Sequence, residues 1–114
     1  MSDKRKFPRY VISQMLAINF NNFKDVTFVE GINISKSGLL CDINSELSLG
    51  TDIYLMVSLP DGNNEKKIEI QAKVVRVTQT VSADIFRVAL EFTFIEESDK
   101  KFLYNYLDGL RKIY

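Results

Sequence analysis

The chain has 114 residues, enough to bury one core and too few for two domains. Fifteen lysines and arginines balance fifteen aspartates and glutamates, so no net field draws it onto DNA or an anionic membrane, and 46% hydrophobic residues exclude a disordered chain. One cysteine and no histidine leave no disulfide framework within the chain, no histidine base and no ordinary transition-metal site.

Residues 1–10 are polar, with Lys4, Arg5, Lys6 and Arg9 set against Asp3 alone. Pro8 fixes its own φ and lacks an N–H, so this stretch reads as a flexible, extended or turned arm. It has no signal-peptide core, and no apolar run approaches the roughly 18 residues of a membrane span, which predicts a cytoplasmic chain without membrane insertion.

From Val11 to Phe20 the even positions Ile12, Leu16, Ile18 and Phe20 are apolar and Ser13 and Asn19 take the other parity, the pattern of a half-buried strand, which Gln14 and Met15 break. Asn21-Asn22 supplies turn chemistry, and Val26, Phe28, Ile32 and Ile34 resume the alternation with Glu30 the exception. Residues 11–20 and 25–34 are therefore expected to form a hairpin. Asn33 and Ser35 share the outward parity of its second strand and Ile34 points inward, so the two polar side chains project together. Gly38 then lets the chain turn back into a third strand, Leu39–Ile43.

After a turn at Ser48–Thr51, a fourth strand places Ile53, Leu55, Val57 and Leu59 inward. Pro60-Asp61-Gly62-Asn63-Asn64 is the strongest turn signal in the chain. The fifth strand turns Ile68, Ile70, Ala72 and Val74 inward before its parity slips to Val75 and Val77, which predicts a bulge. In the sixth, Phe86, Val88, Leu90, Phe92 and Phe94 all share the inward parity. Ser98 is a suitable N-cap for an amphipathic helix over about 98–112, with Phe102, Leu103, Tyr106, Leu107, Leu110 and Tyr114 at three-and-four spacing. Six strands joined by short turns and one closing helix predict an all-β fold over 11–114, a six-stranded antiparallel barrel packed by one C-terminal α-helix.

Catalysis has little to draw on. Cys41 has no base beside it in sequence, and carboxylates such as Asp42, Glu46, Glu96, Glu97, Asp99 and Asp108 sit where solvated charges belong. The chain is read as no enzyme, with no metal site and no cofactor, although carboxylate-only binding of a hard cation stays open. Two stretches carry binding chemistry. Arg5 and Arg9 are planar forks able to hold a phosphate or the O6/N7 edge of guanine and to stack on a purine. Asn33-Ile34-Ser35-Lys36-Ser37-Gly38 adds a carboxamide, hydroxyls and a glycine at a turn. Each alone has an ordinary reading, the first as a solvated tail and the second as hairpin chemistry. Together, ahead of a barrel-like strand pattern, they point to a receptor for a small anionic, guanine-bearing ligand.

The pair, an RxxxR arm followed by [D/N]xSxxG, resembles the signature of the PilZ domain, the bacterial receptor module for cyclic di-GMP. Arg5 and Arg9 match the first motif and Asn33, Ser35 and Gly38 the second, while Gly50, the Val74–Val77 run and the phenylalanine-rich last strand and helix extend the resemblance over nearly the whole chain. The resemblance implies a PilZ-like β-barrel with its ligand, cyclic di-GMP, held between arm and barrel: Arg5 and Arg9 on phosphates and guanines, Asn33 and Ser35 on one guanine and its neighbouring phosphate, Gly38 keeping the turn tight enough to leave room. Lys6 stands where the family often has a further arginine, and position 33 is Asn where Asp is commoner; Lys6 and Arg76 are additional contacts to consider, with Arg87 beside them. The function implied is a stand-alone cyclic di-GMP receptor and adaptor that reorders its arm and signals to an effector protein in trans. The alternatives are a PilZ-like protein–protein interaction module that binds no nucleotide, and a barrel for single-stranded nucleic acid. The second needs exposed aromatic side chains beside a basic groove and is disfavoured because most phenylalanines lie on inward parity.

Overall fold

The structure, a computed structural model, describes residues 10–11, 17–20 and 28–109. Seven strand segments form one antiparallel sheet: β1 (Tyr10–Val11), β2 (Ala17–Phe20), β3 (Phe28–Ile34), β4 (Gly38–Ile43), β5 (Asp52–Asp61), β6 (Asn64–Gln79) and β7 (Phe86–Ile95), followed by α1 (Glu97–Asp108). Their lateral order is β1-β3-β4-β7-β6-β5-β2.

The expected first strand is present as β1 and β2, and these lie at opposite ends of the sheet. Val11 pairs with Asn33 of β3, whereas Ala17–Phe20 pair with Leu55–Ser58 of β5. Only the β1 end therefore makes the expected hairpin-like partnership with β3. This arrangement requires curvature. Six interstrand gaps in a flat sheet would separate the edges by about 29 Å, but the chain from Val11 to Ala17 reaches about 22 Å at most when fully extended. The sheet is accordingly a curled half-barrel, its two edges supplied by one short stretch of chain.

Side-chain alternation builds the interior as expected in the central strands. Ile53, Leu55, Val57 and Leu59 of β5 and Ile68, Ile70, Ala72 and Val74 of β6 are all buried, and they meet Ile34, Leu39, Cys41, Ile43, Val88 and Leu90 from the other strands. The β5–β6 turn places only Gly62 and Asn63 between the paired Asp61 and Asn64. Of these two, Gly62 takes a positive φ, 61°, and Asn63 does not, as a type II′ turn requires.

Two bulges reset the parity of the β6–β7 ladder. In the first, Val74 faces Leu90 and Arg76 faces Ala89, so a bulge falls where the sequence predicts it; Val77 packs against the core as expected, but Val75, expected inward, is the extra residue and turns outward. In the second, Gln71 faces Phe94 and Ala72 faces Phe92, so Thr93 is the extra residue. That one inverts the end of β7: Phe94, expected inward, is 58% exposed, and Ile95 takes its place in the core.

The helix lies across β6 and buries Leu103 and Leu107, one turn apart, while Phe102, Tyr104 and Tyr106 pack at its margins. Its N-cap is Glu96 rather than the expected Ser98, which lies inside the first turn. No side chain caps that end, and Glu97 and Asp99 provide negative charge against the positive pole of the helix instead. The expected residues 110–112 lie outside the described part. No described helix is long and apolar enough to cross a membrane.

Candidate functional site

Arg5, Lys6 and Arg9 lie outside the described residues. The other motif is fully described. Ladder pairing between β1, β3 and β4 sets Asn33 between Val11 and Leu40, half-buried on the outer face, with Ile34 sealed into the core.

Ser35 turns out to be the organiser of its own turn. Its N–H donates to the Gly38 carbonyl at 2.9 Å, closing the loop made by Lys36 and Ser37. Its hydroxyl accepts from the backbone N–H groups of Ser37 and Gly38, each at 3.2 Å, and lies 3.1 Å from Ser37 Oγ. A hydroxyl has two lone pairs, so both are committed before any ligand arrives. The Ser35 side chain is correspondingly buried, at 8% exposure.

Gly38 is dictated by the next strand. A Cβ on it would overlap the carbonyl oxygen of Leu90, because β4 and β7 approach closely where Gly38 faces Glu91. The Phe92 N–H then donates to the Ser37 carbonyl at 2.8 Å, fixing the turn to β7 as well. Lys36, between the two motif residues, reaches the other way. Its Nζ lies 2.9 Å from Asp108 Oδ1 and 5.0 Å from the ring centroid of Tyr104. The last turn of α1 has no basic residue of its own, so Lys36 supplies the cation that an aspartate at the negative pole of a helix needs.

Registers across the sheet place the remaining residues. Asn33 pairs with Leu40, Leu40 with Ala89, and Ala89 with Arg76, forming one row on the outer face. Arg76 is thus three strands from Asn33, about 14 Å away, with half-buried Leu40 and Ala89 as a low apolar floor between them. A planar ring could lie on that floor with polar groups at either end. Sequence reasoning did not single out Leu40 and Ala89; their outward parity in apolar strands was the available signal.

The neighbouring row holds Glu30, Asp42, Arg87 and Thr78. Here Arg87 is already engaged: Nε and Nη2 donate to the two carboxylate oxygens of buried Asp42 at 3.0 and 3.3 Å. This forked hydrogen bond raises the guanidinium pKa further above its ordinary value. Arg76, by contrast, makes no ion pair with any described residue. On the inner side, burial and the neighbouring Asp42 push the Cys41 thiol up to about 12, so it stays protonated and unreactive at neutral pH.

Comparison with known proteins places this geometry in context. The family model for the PilZ domain matches residues 3–109. No curated protein matches the chain. Among solved structures, the inhibitor of motility MotI/DgrA of Bacillus subtilis superposes with a TM-score of 0.70 at 21% identity, over 92% of this chain and 49% of that one. The likeness is one of fold, and the chain spans about half the length of that protein.

Proposed function

The chain belongs to the PilZ domain family, a family of cyclic di-GMP receptors and adaptors, and on that premise we propose that it binds cyclic di-GMP and relays the binding to a partner protein in trans. In this reading residues 1–10 are the arm, 11–114 the barrel domain, and the chain acts in the cytoplasm without catalysis or a cofactor.

The observation that carries the reading is the pairing of β1 with β3. Tyr10 faces Ile34 and Val11 faces Asn33, so the root of the arm is stitched to the strand that bears the second motif. Covalent geometry keeps the Cα of Arg9 about 3.8 Å from that of Tyr10. The first motif therefore ends one residue before the strand pair that carries Asn33.

The ligand carries two phosphates and two guanines, and arginine suits both. Arg9 and Arg5 take phosphate oxygens or a guanine edge; the Asn33 carboxamide addresses a guanine; Leu40 and Ala89 support a ring from below. Ser35 and Gly38 serve chiefly by shaping the turn, a role supported by the hydrogen bonds and close approach described above. Arg76 and Lys6 offer further cationic contacts, and Arg87 is left to Asp42.

Isothermal titration calorimetry tests the proposal, with GTP and cyclic di-AMP as controls. Saturable heat is expected with cyclic di-GMP alone, and Arg9→Ala should weaken binding about tenfold or more, the value of a charge-assisted contact. No heat and no thermal shift with excess cyclic di-GMP would sink the receptor reading and leave the interaction-module alternative.

A further inference from the structure

Farther along β6 and β7, near the start of α1, the outer wall carries a cleft. Tyr54, Gln71 and Phe94 form one cross-strand row over β5, β6 and β7, the two aromatic residues separated by two interstrand gaps, about 10 Å. Both rings are substantially uncovered, 46% for Tyr54 and 58% for Phe94. Glu69, Glu96 and Asp99, together with Leu55 and Ile70, complete the lining of this cleft of about 330 Å³. Phe94 faces this cleft only because the bulge at Thr93 turns it out of the barrel.

Two aromatic faces with carboxylates around them suit a cation. The rings present negative π-faces, the acids provide salt-bridge partners, and the Gln71 amide between the rings can accept an N–H. The same acids oppose nucleic acid, because phosphates would be repelled. Asp99 already draws in one lysine, Lys66, at 3.7 Å. Glu69 and Glu96 pair with no lysine or arginine among the described residues. An arginine fits better than a lysine, since its flat guanidinium stacks on a ring while donating to a carboxylate.

We infer that this cleft is a docking site for an arginine-bearing segment of a partner protein, the guanidinium lying between Tyr54 and Phe94 against Glu96 and Glu69. The inference rests on the adaptor part of the proposed function and not on nucleotide binding. Its test is therefore run without cyclic di-GMP, so that failure of either reading is seen separately.

The isotope-labelled chain is titrated with an acetylated arginine–glycine pentapeptide and followed by amide chemical shifts, with lysine–glycine and glutamate–glycine pentapeptides as comparisons. Shifts are expected at Tyr54, Gln71, Phe94 and Glu96, larger with arginine than with lysine, absent with glutamate, and absent at Asn33 and Ser35. Phe94→Ala and Glu96→Gln, both at exposed positions, should each weaken binding about fivefold, while Val81→Ala, an exposed apolar control on a loop, leaves it unchanged. Scattered shifts, equal response to the glutamate peptide, or equal loss in Val81→Ala would overturn the assignment. Self-association abolished by Phe94→Ala would also overturn it, by making a second copy of the chain the occupant.

Discussion

Replacing Gly38 by alanine separates two roles for one residue. If the glycine exists to leave room for a ligand, a methyl group there costs affinity and nothing else. The structure assigns it a prior duty, since the new Cβ would overlap the Leu90 backbone carbonyl, which cannot rotate away as a side-chain tip can. The β4 and β7 strands would have to part by several tenths of an ångström, straining the Phe92 N–H to Ser37 carbonyl bond beside it. Overpacking of this kind costs about 1–3 kcal/mol. At about 4 °C per kcal/mol for a domain of this length, the expected fall in Tm is roughly 4–12 °C. Thermal unfolding followed by circular dichroism reads it without nucleotide present, and urea unfolding should show a lower midpoint with an unchanged m value. A Tm within about 1 °C of the parent, with nucleotide affinity lost, would refute the reasoning and return Gly38 to the ligand.

Other substitutions probe the surroundings. Arg87→Ala strands the nearly buried carboxylate of Asp42 and should lower the urea midpoint; a double variant with Asp42→Asn should recover part of the loss, and an Arg87→Ala protein as stable as the parent would deny the pair a role. Lys36→Ala loses a pair whose aspartate is 57% exposed, so the expected loss is at most about 0.5 kcal/mol and should vanish at high salt. Stability should fall as pH rises from about 9 towards about 12: the folded Cys41 keeps its proton while the unfolded thiol releases it, so the unfolded state binds fewer protons and gains. Cys41→Ala should flatten that alkaline slope, and a slope identical in the two proteins would remove Cys41 as its source.

What could be read without coordinates was whatever a period of two determines. The inward sets of β5 and β6, the outward placement of Asn33 beside Ile34, and the bulge at Val75 all follow from parity along a single strand. Parity does not name a neighbour, which is why the alternation alone suggests a hairpin of 11–20 with 25–34 although residues 17–20 pair with β5. Nor does it register a bulge inside a regular alternation: Phe92, Thr93, Phe94 and Ile95 give no cue that Thr93 is the extra residue, so parity alone points Phe94 into the core. In the candidate site, the motif residues were visible but their employment was not. Ser35 spends its hydroxyl on a turn only three residues long, Gly38 answers to Leu90, and Lys36 answers to Asp108. Each depends on contacts between segments far apart in the chain, or on local bond geometry that composition leaves open.

The split of the first strand between the two sheet edges also governs the order in which the barrel can be completed. Translation delivers residues 17–20 early, yet their partners at 55–58 emerge almost forty residues later, and Gly38–Ile43 must wait for Phe86–Glu91. The β3–β4 and β5–β6 hairpins can close locally in the meantime, and the sheet is completed only when β7 joins β4 to β6. Until it does, β4 and β6 present bare backbone donors and acceptors to any passing strand. A truncation or substitution that slows this last zippering should show itself first as poor yield or entangled dimers, before it shows in the stability of the finished fold.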